Sequence, residues 1–214
     1  MPLAYMPWLK TIPQVRSNNP DALWLWEDGG EGVCCDAFCD HLVAPEVIMD
    51  VGAGYGHASR HFKERFPSAT VVPVDFYSFE TEEHQPYPAR LVVDDAHELH
   101  RQSHSVHALW AAHILEHLQS PLDALREWRR VLCHGHRGLL GVVVPRASVV
   151  ESGHVWDFSD PRRLYYLMRL TGFDVVELVR RTYNIAIWAH PGAEPTSHNL
   201  GDLGVPEHVE VRDL

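Results

Sequence analysis

The stretch V-I-M-D-V-G-A-G-Y-G, from Val47 to Gly56, decides the fold. Val47, Ile48, Met49 and Val51 form a short apolar run suited to a buried strand, and Gly52, Gly54 and Gly56 punctuate a turn into the helical pattern that follows. A strand ending this way is a ligand cradle. Gly52 can take the positive φ of a tight turn, Gly54 lets the main chain approach a ligand, and Gly56 lets the next helix sit against the sheet. The first amides of that helix point at whatever is bound, which suits a carboxylate or phosphate. Dinucleotide sites place their third glycine one residue further on, where this chain has His57, so the spacing leans away from a nicotinamide cofactor.

Downstream, Ala58, Phe62 and Phe66 recur every four residues, Lys63 and Arg65 occupy the last turn, and Pro67 stops the helix. A second strand is predicted over Thr70 to Val74. It ends in Asp75, 19 residues beyond Gly56, where an acidic side chain is placed to accept both hydroxyls of a ribose. The polar loop from Phe76 to Pro88 is expected on the surface, and Ala89 to Val93 reads as a third strand closing in Asp94-Asp95-Ala96. A carboxylate there can accept an exocyclic amine while the next backbone amide donates to a ring nitrogen. A fourth strand, about Ser105 to Ala111, leads into His113-Ile114-Leu115-Glu116-His117-Leu118. Ser120 and Pro121 have the form of an N-cap and first helical position, with Leu122, Leu125, Trp128 and Leu132 facing inward. The apolar run Gly138 to Val144 suits a central strand covered on both faces.

Upstream, residues 1 to 30 interleave Pro2, Pro7, Pro13 and Pro20 with Trp8, Trp24 and Trp26, which predicts an arm lying against the body as a lid or clasp. Val33, Ala37, Phe38 and Leu42 give the segment Glu31 to Leu42 an amphipathic helical pattern. Toward the other end come His154, Trp156 and Phe158, then a helix capped by Ser159 or Asp160 with Pro161 at its start. Phe173 to Val179 and Tyr183 to Ala189 are joined by so short a link that they must pair antiparallel. From residue 191 on, the chain is polar and net acidic and is expected to be a loose tail. The expected organisation is therefore an arm and helix over 1–43, a domain over 44–190, and a flexible acidic tail over 191–214. Alternating strands and helices give an α/β, doubly wound, mostly parallel sheet.

A formal charge of −11 over 214 residues argues against an unassisted grip on nucleic acid or an anionic membrane. There is no apolar run of transmembrane length and no leader pattern at the N-terminus, so the expected location is the cytoplasm, without membrane insertion. Cys34, Cys35 and Cys39, with His41 close by and Cys133 remote, lack a standard zinc spacing and read as reduced thiols used in packing. The 16 histidines are scattered and form no metal-binding tract.

The order of V-I-M-D-V-G-A-G-Y-G, Asp75, D-D-A and H-I-L-E-H-L-Q-S-P-L-D-A-L-R-E-W-R-R-V-L resembles the class I S-adenosylmethionine-dependent methyltransferases, and among them the small-molecule branch called type 11. The resemblance covers roughly residues 44 to 190. It implies a Rossmann-like seven-stranded sheet, mostly parallel with an antiparallel last strand, and S-adenosyl-L-methionine as cofactor. By that resemblance Asp50, Gly52, Ala53, Gly54 and Gly56 hold the methionine end, and Asp75 and Phe76 take the ribose and flank the adenine. Asp95 and Ala96 read the adenine, while Ala112 and His113 line the sulfonium side. The turn Cys133-His134-Gly135-His136-Arg137-Gly138 departs from the family's lysine-proline-glycine-glycine, away from the cofactor loops.

Methyl transfer is an in-line displacement, and a base is needed only for a weakly acidic acceptor such as a hydroxyl. His113, His117 and His154 are the candidate bases. Ubiquinone-biosynthesis and small-RNA O-methyltransferases carry a metal-binding Glu-x-x-Glu-His in the place of His113-x-x-Glu116-His117, so a divalent metal enters as an option. It ranks behind a reading in which Glu116 and His117 brace the loop and cap the next helix. The expected reaction is methylation of a small-molecule acceptor, at oxygen more than nitrogen. The alternatives are a silent cofactor-binding module or activating subunit, its acceptor side filled by Trp8, Trp24 or Trp156, and another use of the same cofactor. The sequence sets neither the acceptor nor the oligomeric state.

Overall fold

The computed structural model describes Trp26, residues 30–77, 87–146 and 154–192, and the main chain of 211–213. In chain order the elements are α1 (Glu31–Asp40), β1 (Val47–Val51), α2 (His57–Arg65), β2 (Thr70–Asp75), β3 (Val92–Val93), β4 (Ala108–Ala112), α3 (Pro121–Val131), β5 (Leu139–Pro145), α4 (Pro161–Leu170), β6 (Phe173–Arg180), β7 (Asn184–Pro191) and β8 (Val211–Asp213). One sheet joins all eight strands in the order β3-β2-β1-β4-β5-β7-β6-β8. The first five are parallel to their neighbours, and β7 runs antiparallel between β5 and β6. The seven expected strands, mostly parallel with an antiparallel last one, are all present, and β8 adds an eighth beside β6. The chain winds outward in one direction from β1 and in the other from β4, so the carboxyl ends of these two neighbours flank a topological switch point.

Helices cover both faces. On one, Leu125 and Trp128 of α3 and Leu164 and Met168 of α4 pack on Leu109, Ala111, Val142 and Ile187. On the other, Phe38 of α1 and Phe62 of α2 close over Trp110 and Trp188, the Phe38 ring lying 5.3 Å from Trp110 and 5.4 Å from Trp188. Gly141 in the middle of β5 permits this, because a Cβ there would sit 2.7 Å from the Phe38 ring. The predicted caps are present: Ser120 Oγ accepts from Asp123 N at the start of α3, and Asp160 Oδ1 accepts from Arg162 N at 3.0 Å before Pro161 of α4.

Several expectations change in detail. The first helix ends at Asp40 rather than Leu42, and Val33 is exposed; Cys34, Cys35 and Cys39 take the inward face beside Phe38. The third strand shrinks to Val92–Val93, because Leu91 leaves the ladder to pack with Tyr87 against Ala53. The fourth begins only at Ala108, since Val106 bridges to Leu132 instead. Of the stretch expected to be a loose tail, Val211–Asp213 pairs in parallel with β6. The lid or clasp expected over residues 1–30 lies outside the described residues apart from Gly30 and Trp26, whose ring stacks on His57 at 5.9 Å.

Candidate functional site

The turn after β1 is held by the neighbouring strand. Gly52 N and Ala53 N both donate to Val74 O, at 2.8 and 3.0 Å, and Gly54 N donates to Asp75 Oδ2 at 2.9 Å. Gly52 has φ 78°, and a Cβ on it would meet the Ile114 side chain at 3.0 Å. Any other residue would be strained in the main chain and would also press on the segment that follows β4. Above Gly54 the space is open: a Cβ there would find nothing nearer than Gly52 O at 3.8 Å. Tyr87 closes one side, its hydroxyl donating to Gly54 O at 2.5 Å.

Asp75 is almost wholly buried, and Tyr77 N donates to its other oxygen at 3.2 Å. Burial raises its carboxyl from the ordinary range, opposed by the amides of Gly54, Tyr77 and Phe76. Phe76 is exposed just beyond the strand end. Asp94 N donates to Asp75 O at 3.0 Å, which sets the Asp94-Asp95-Ala96 segment beside Asp75 on the same sheet edge. Asp95 Oδ1 accepts from His97 N at 2.9 Å and lies 2.7 Å from His97 Nδ1. Partial burial works against ionisation of Asp95, yet these His97 contacts hold its carboxyl below the usual range. Ala96 is anchored from beneath, its carbonyl accepting from Trp128 Nε1 at 2.9 Å.

At the end of β4 the chain breaks sharply. His113 has φ 52°, a left-handed conformation that costs a non-glycine residue about 1 kcal/mol, while its N–H donates to Val143 O at 2.9 Å. A single 3-10 turn, Leu115–His117, follows before the Ser120 cap. It turns Glu116 inward, 1% exposed, with Oε1 3.5 Å from His113 Nδ1. Neither Glu116 carboxylate oxygen has a hydrogen-bond partner among the described residues. The main chain of Glu116 does brace the neighbouring segment, its carbonyl accepting from Val155 N at 2.8 Å and Trp156 N at 3.1 Å. Capping of α3 falls to Ser120 rather than to Glu116 or His117. His154 comes to His117 edge-on at 4.6 Å, and ligand atoms of Glu116, His117 and His154 lie within 4.8 Å of one another.

The structure therefore gathers Gly52, Ala53, Gly54, Asp75, Asp95 and Ala96 at one edge, and His113, His117 and His154 around Glu116 at the adjoining end of β4. Asp50 is set apart. Its side chain turns beneath the loop, where Ser59 Oγ donates to Oδ2 at 2.5 Å. Burial pushes its carboxyl up to about 7, with Ser59 opposing and Glu31 and Asp75 reinforcing. Gly56 is the N-cap of α2 and Ala112 the last residue of β4. Two residues escaped the sequence reading. Glu31, in the first turn of α1, has its carboxyl raised by burial, with His113 lowering it and Glu116 raising it further. Tyr87 was hidden in a loop expected on the surface. An acid in a first helical turn and a tyrosine between prolines carry no pattern of their own; only the fold brings them here.

The comparisons with known proteins fit this arrangement. Residues 49–139 match a family described as a methyltransferase domain. Over that stretch, which takes in the glycine turn, β2, β3, β4 and α3, the chain is similar to methyltransferase domains. It is 30% identical over 111 residues to a demethylmenaquinone methyltransferase of Chlamydia muridarum, an alignment covering 50% of this chain and 48% of the relative. The chain thus spans about half the length of the curated relative it matches. The fold recurs in the 1,6-didemethyltoxoflavin-N1-methyltransferase of Burkholderia thailandensis, solved with bound S-adenosylhomocysteine, at TM-score 0.62 and 18% identity over 81% of this chain and 86% of that one. It recurs also in the [4+2]-cyclase SpnF, at TM-score 0.58 and 19% identity over 72% of this chain and 60% of that one.

Proposed function

We propose that this chain transfers a methyl group from S-adenosylmethionine to a small-molecule acceptor, at oxygen rather than nitrogen. One arrangement carries the reading: the open glycine turn, the buried Asp75 carboxylate and the imidazoles around Glu116 meet along the carboxyl ends of β1, β2 and β4. The donor set suits the cofactor, since Gly54 offers space where a side chain would intrude and Asp75 is an acceptor fixed by two amides. Asp50, Gly52, Ala53, Gly54 and Gly56 would hold its methionine end, with Asp50 acting through the shape of the loop. Asp75 and Phe76 would hold the ribose and flank the adenine, Asp95 and Ala96 would read the adenine, and Ala112 and His113 would line the sulfonium side. Bound there, the cofactor supplies a methyl carbon activated by positive sulfur.

The chain's own work is to hold the acceptor in line and keep water away. An acceptor hydroxyl must lose its proton, and a ring nitrogen of His113, His117 or His154 would receive it, with Glu116 steadying the imidazole that charges. An amine acceptor needs no such group, which is why the surplus of bases favours oxygen. The unbonded carboxylate of Glu116 beside His117 and His154 supports a second reading, in which these three hold a divalent cation that would make a bound hydroxyl more acidic. The catalytic unit is proposed to be residues 44–190, with α1 contributing Glu31 from outside it. No described helix is long and apolar enough to cross a membrane, and we place the reaction in the cytoplasm.

SpnF and the toxoflavin enzyme, named for different reactions, share this fold, so fold cannot choose between methyl transfer and another use of the cofactor. Incubation with S-adenosylmethionine and panels of small phenols, enols and amines, read as S-adenosylhomocysteine, makes the choice. Acceptor-dependent release with the hydroxyl panel is expected. Cofactor binding without S-adenosylhomocysteine from any panel would overturn methyl transfer in favour of a silent module or another reaction.

A further inference from the structure

Behind the sheet from the acceptor-side histidines, α1 and α2 bring together a second cluster. Cys35 and Cys39, four residues apart, fall on one side of α1 and are 0% and 2% exposed. His61 enters from α2, and the two sulfurs and one of its ring nitrogens all lie within 4.8 Å of one another. His61 Nε2 is 2.8 Å from Asp36 Oδ1, and the Trp26 ring lies edge-on to His61 at 5.6 Å. Packing alone asks for none of this, since a core needs no imidazole between two thiols.

We propose that Cys35, Cys39 and His61 bind a zinc-class divalent ion, with Asp36 orienting the imidazole and water in the fourth position. Zn–S bonds of about 2.3 Å in a tetrahedron separate two sulfurs by roughly 3.8 Å, so the cluster need contract by no more than about 1 Å. Two thiolates neutralise a divalent cation, which removes the chief penalty for burying charge here. A carboxylate on the outer side of a ligating histidine fixes its tautomer and orientation. The ion ties α1, which carries Glu31, to α2, which begins at the glycine loop. It would act as a staple behind the site, with a donor set separate from that at Glu116.

Cobalt is the probe, because only thiolate ligation gives intense near-ultraviolet sulfur-to-cobalt charge transfer along with the visible bands of a tetrahedral ion. The full chain, reduced and stripped with a chelator, should take up one equivalent of cobalt with these bands, and zinc should displace it and raise the thermal midpoint. Cys39→Ser and His61→Ala should weaken binding at least tenfold, Asp36→Asn by about tenfold. Cys34→Ser and Cys133→Ser should leave the bands intact, as should the pair Glu116→Gln with His154→Ala, which removes the other donor set. Absence of thiolate bands in the wild-type chain, or their persistence in Cys35→Ser/Cys39→Ser, would overturn the assignment. So would oxidation of the two thiols to a disulfide with no metal uptake under any reducing condition. Should a variant fail to fold, X-ray absorption of the zinc-loaded wild-type chain decides alone: two sulfur neighbours support the site, and only nitrogen and oxygen neighbours refute it.

Discussion

The two halves of the candidate site are made of different material. Around Asp75 the geometry is main chain: Gly52 N, Ala53 N, Gly54 N and Tyr77 N converge on Val74 and Asp75. Around Glu116 it is side chain, drawn from α1, the turn after β4 and the segment before α4. A main-chain cradle is rigid and tolerates no added atoms, whereas a side-chain cluster can change its protonation and its ligand without moving the fold. The first suits a constant ligand. The second suits a reaction whose substrate is specified elsewhere.

Substitutions should separate the halves. Gly52→Val combines a strained φ with a clash on Ile114, and cofactor affinity should fall by about a hundredfold or more, equivalent to about 3 kcal/mol, in calorimetry with S-adenosylmethionine. Glu116→Gln keeps shape and removes charge. Turnover should fall about a hundredfold while cofactor affinity stays within about threefold, a split that initial rates and calorimetry measure together. Equal losses in both would merge the halves into one. Asp75→Asn should do the reverse at smaller scale, weakening the cofactor by about tenfold through loss of a charge-assisted hydrogen bond worth about 1.5–3 kcal/mol, with saturated turnover little changed.

Asp50 offers a test in pH. Its folded-state value, about 7, lies above the ordinary 3.8, so the folded chain binds the proton more tightly than the unfolded one. The resulting stabilisation is full below about pH 4 and is lost as pH rises through about 7, a few kcal/mol at most by linkage. Asp50→Asn should therefore flatten the fall in thermal midpoint between pH 4 and 8. An unchanged profile would show that the carboxyl titrates normally. The smallest effect belongs to Arg65→Ala: its exposed pair with Asp40 is worth about 0.5 kcal/mol or less, and both halves should be indifferent to it.

The main-chain half was legible in the sequence because its parts are local. A strand, three glycines and an acid at the end of the next strand are separated by fixed lengths of helix and sheet, so order and spacing carry the geometry. The mostly parallel, doubly wound sheet followed for the same reason, strand by strand. The side-chain half was legible only as a roster: His113, His117 and His154 could be named, but not that Glu116 would be the buried carboxylate among them or that Glu31 would reach it. The thiols show the limit more sharply. The sequence assigns Cys35 and Cys39 to packing, and they do line the core, but they lack a zinc spacing because their third partner, His61, is supplied by another helix. Leu91 and Tyr87 were misjudged because covering the glycine turn mattered more than extending a ladder.

Calorimetric titration of the wild-type chain with S-adenosylmethionine tests the main-chain cradle directly. One equivalent bound with micromolar affinity, and no comparable heat from NAD, is the result expected of an open glycine turn beside a buried Asp75. Absence of binding at millimolar cofactor, or tighter binding of the dinucleotide, would contradict it.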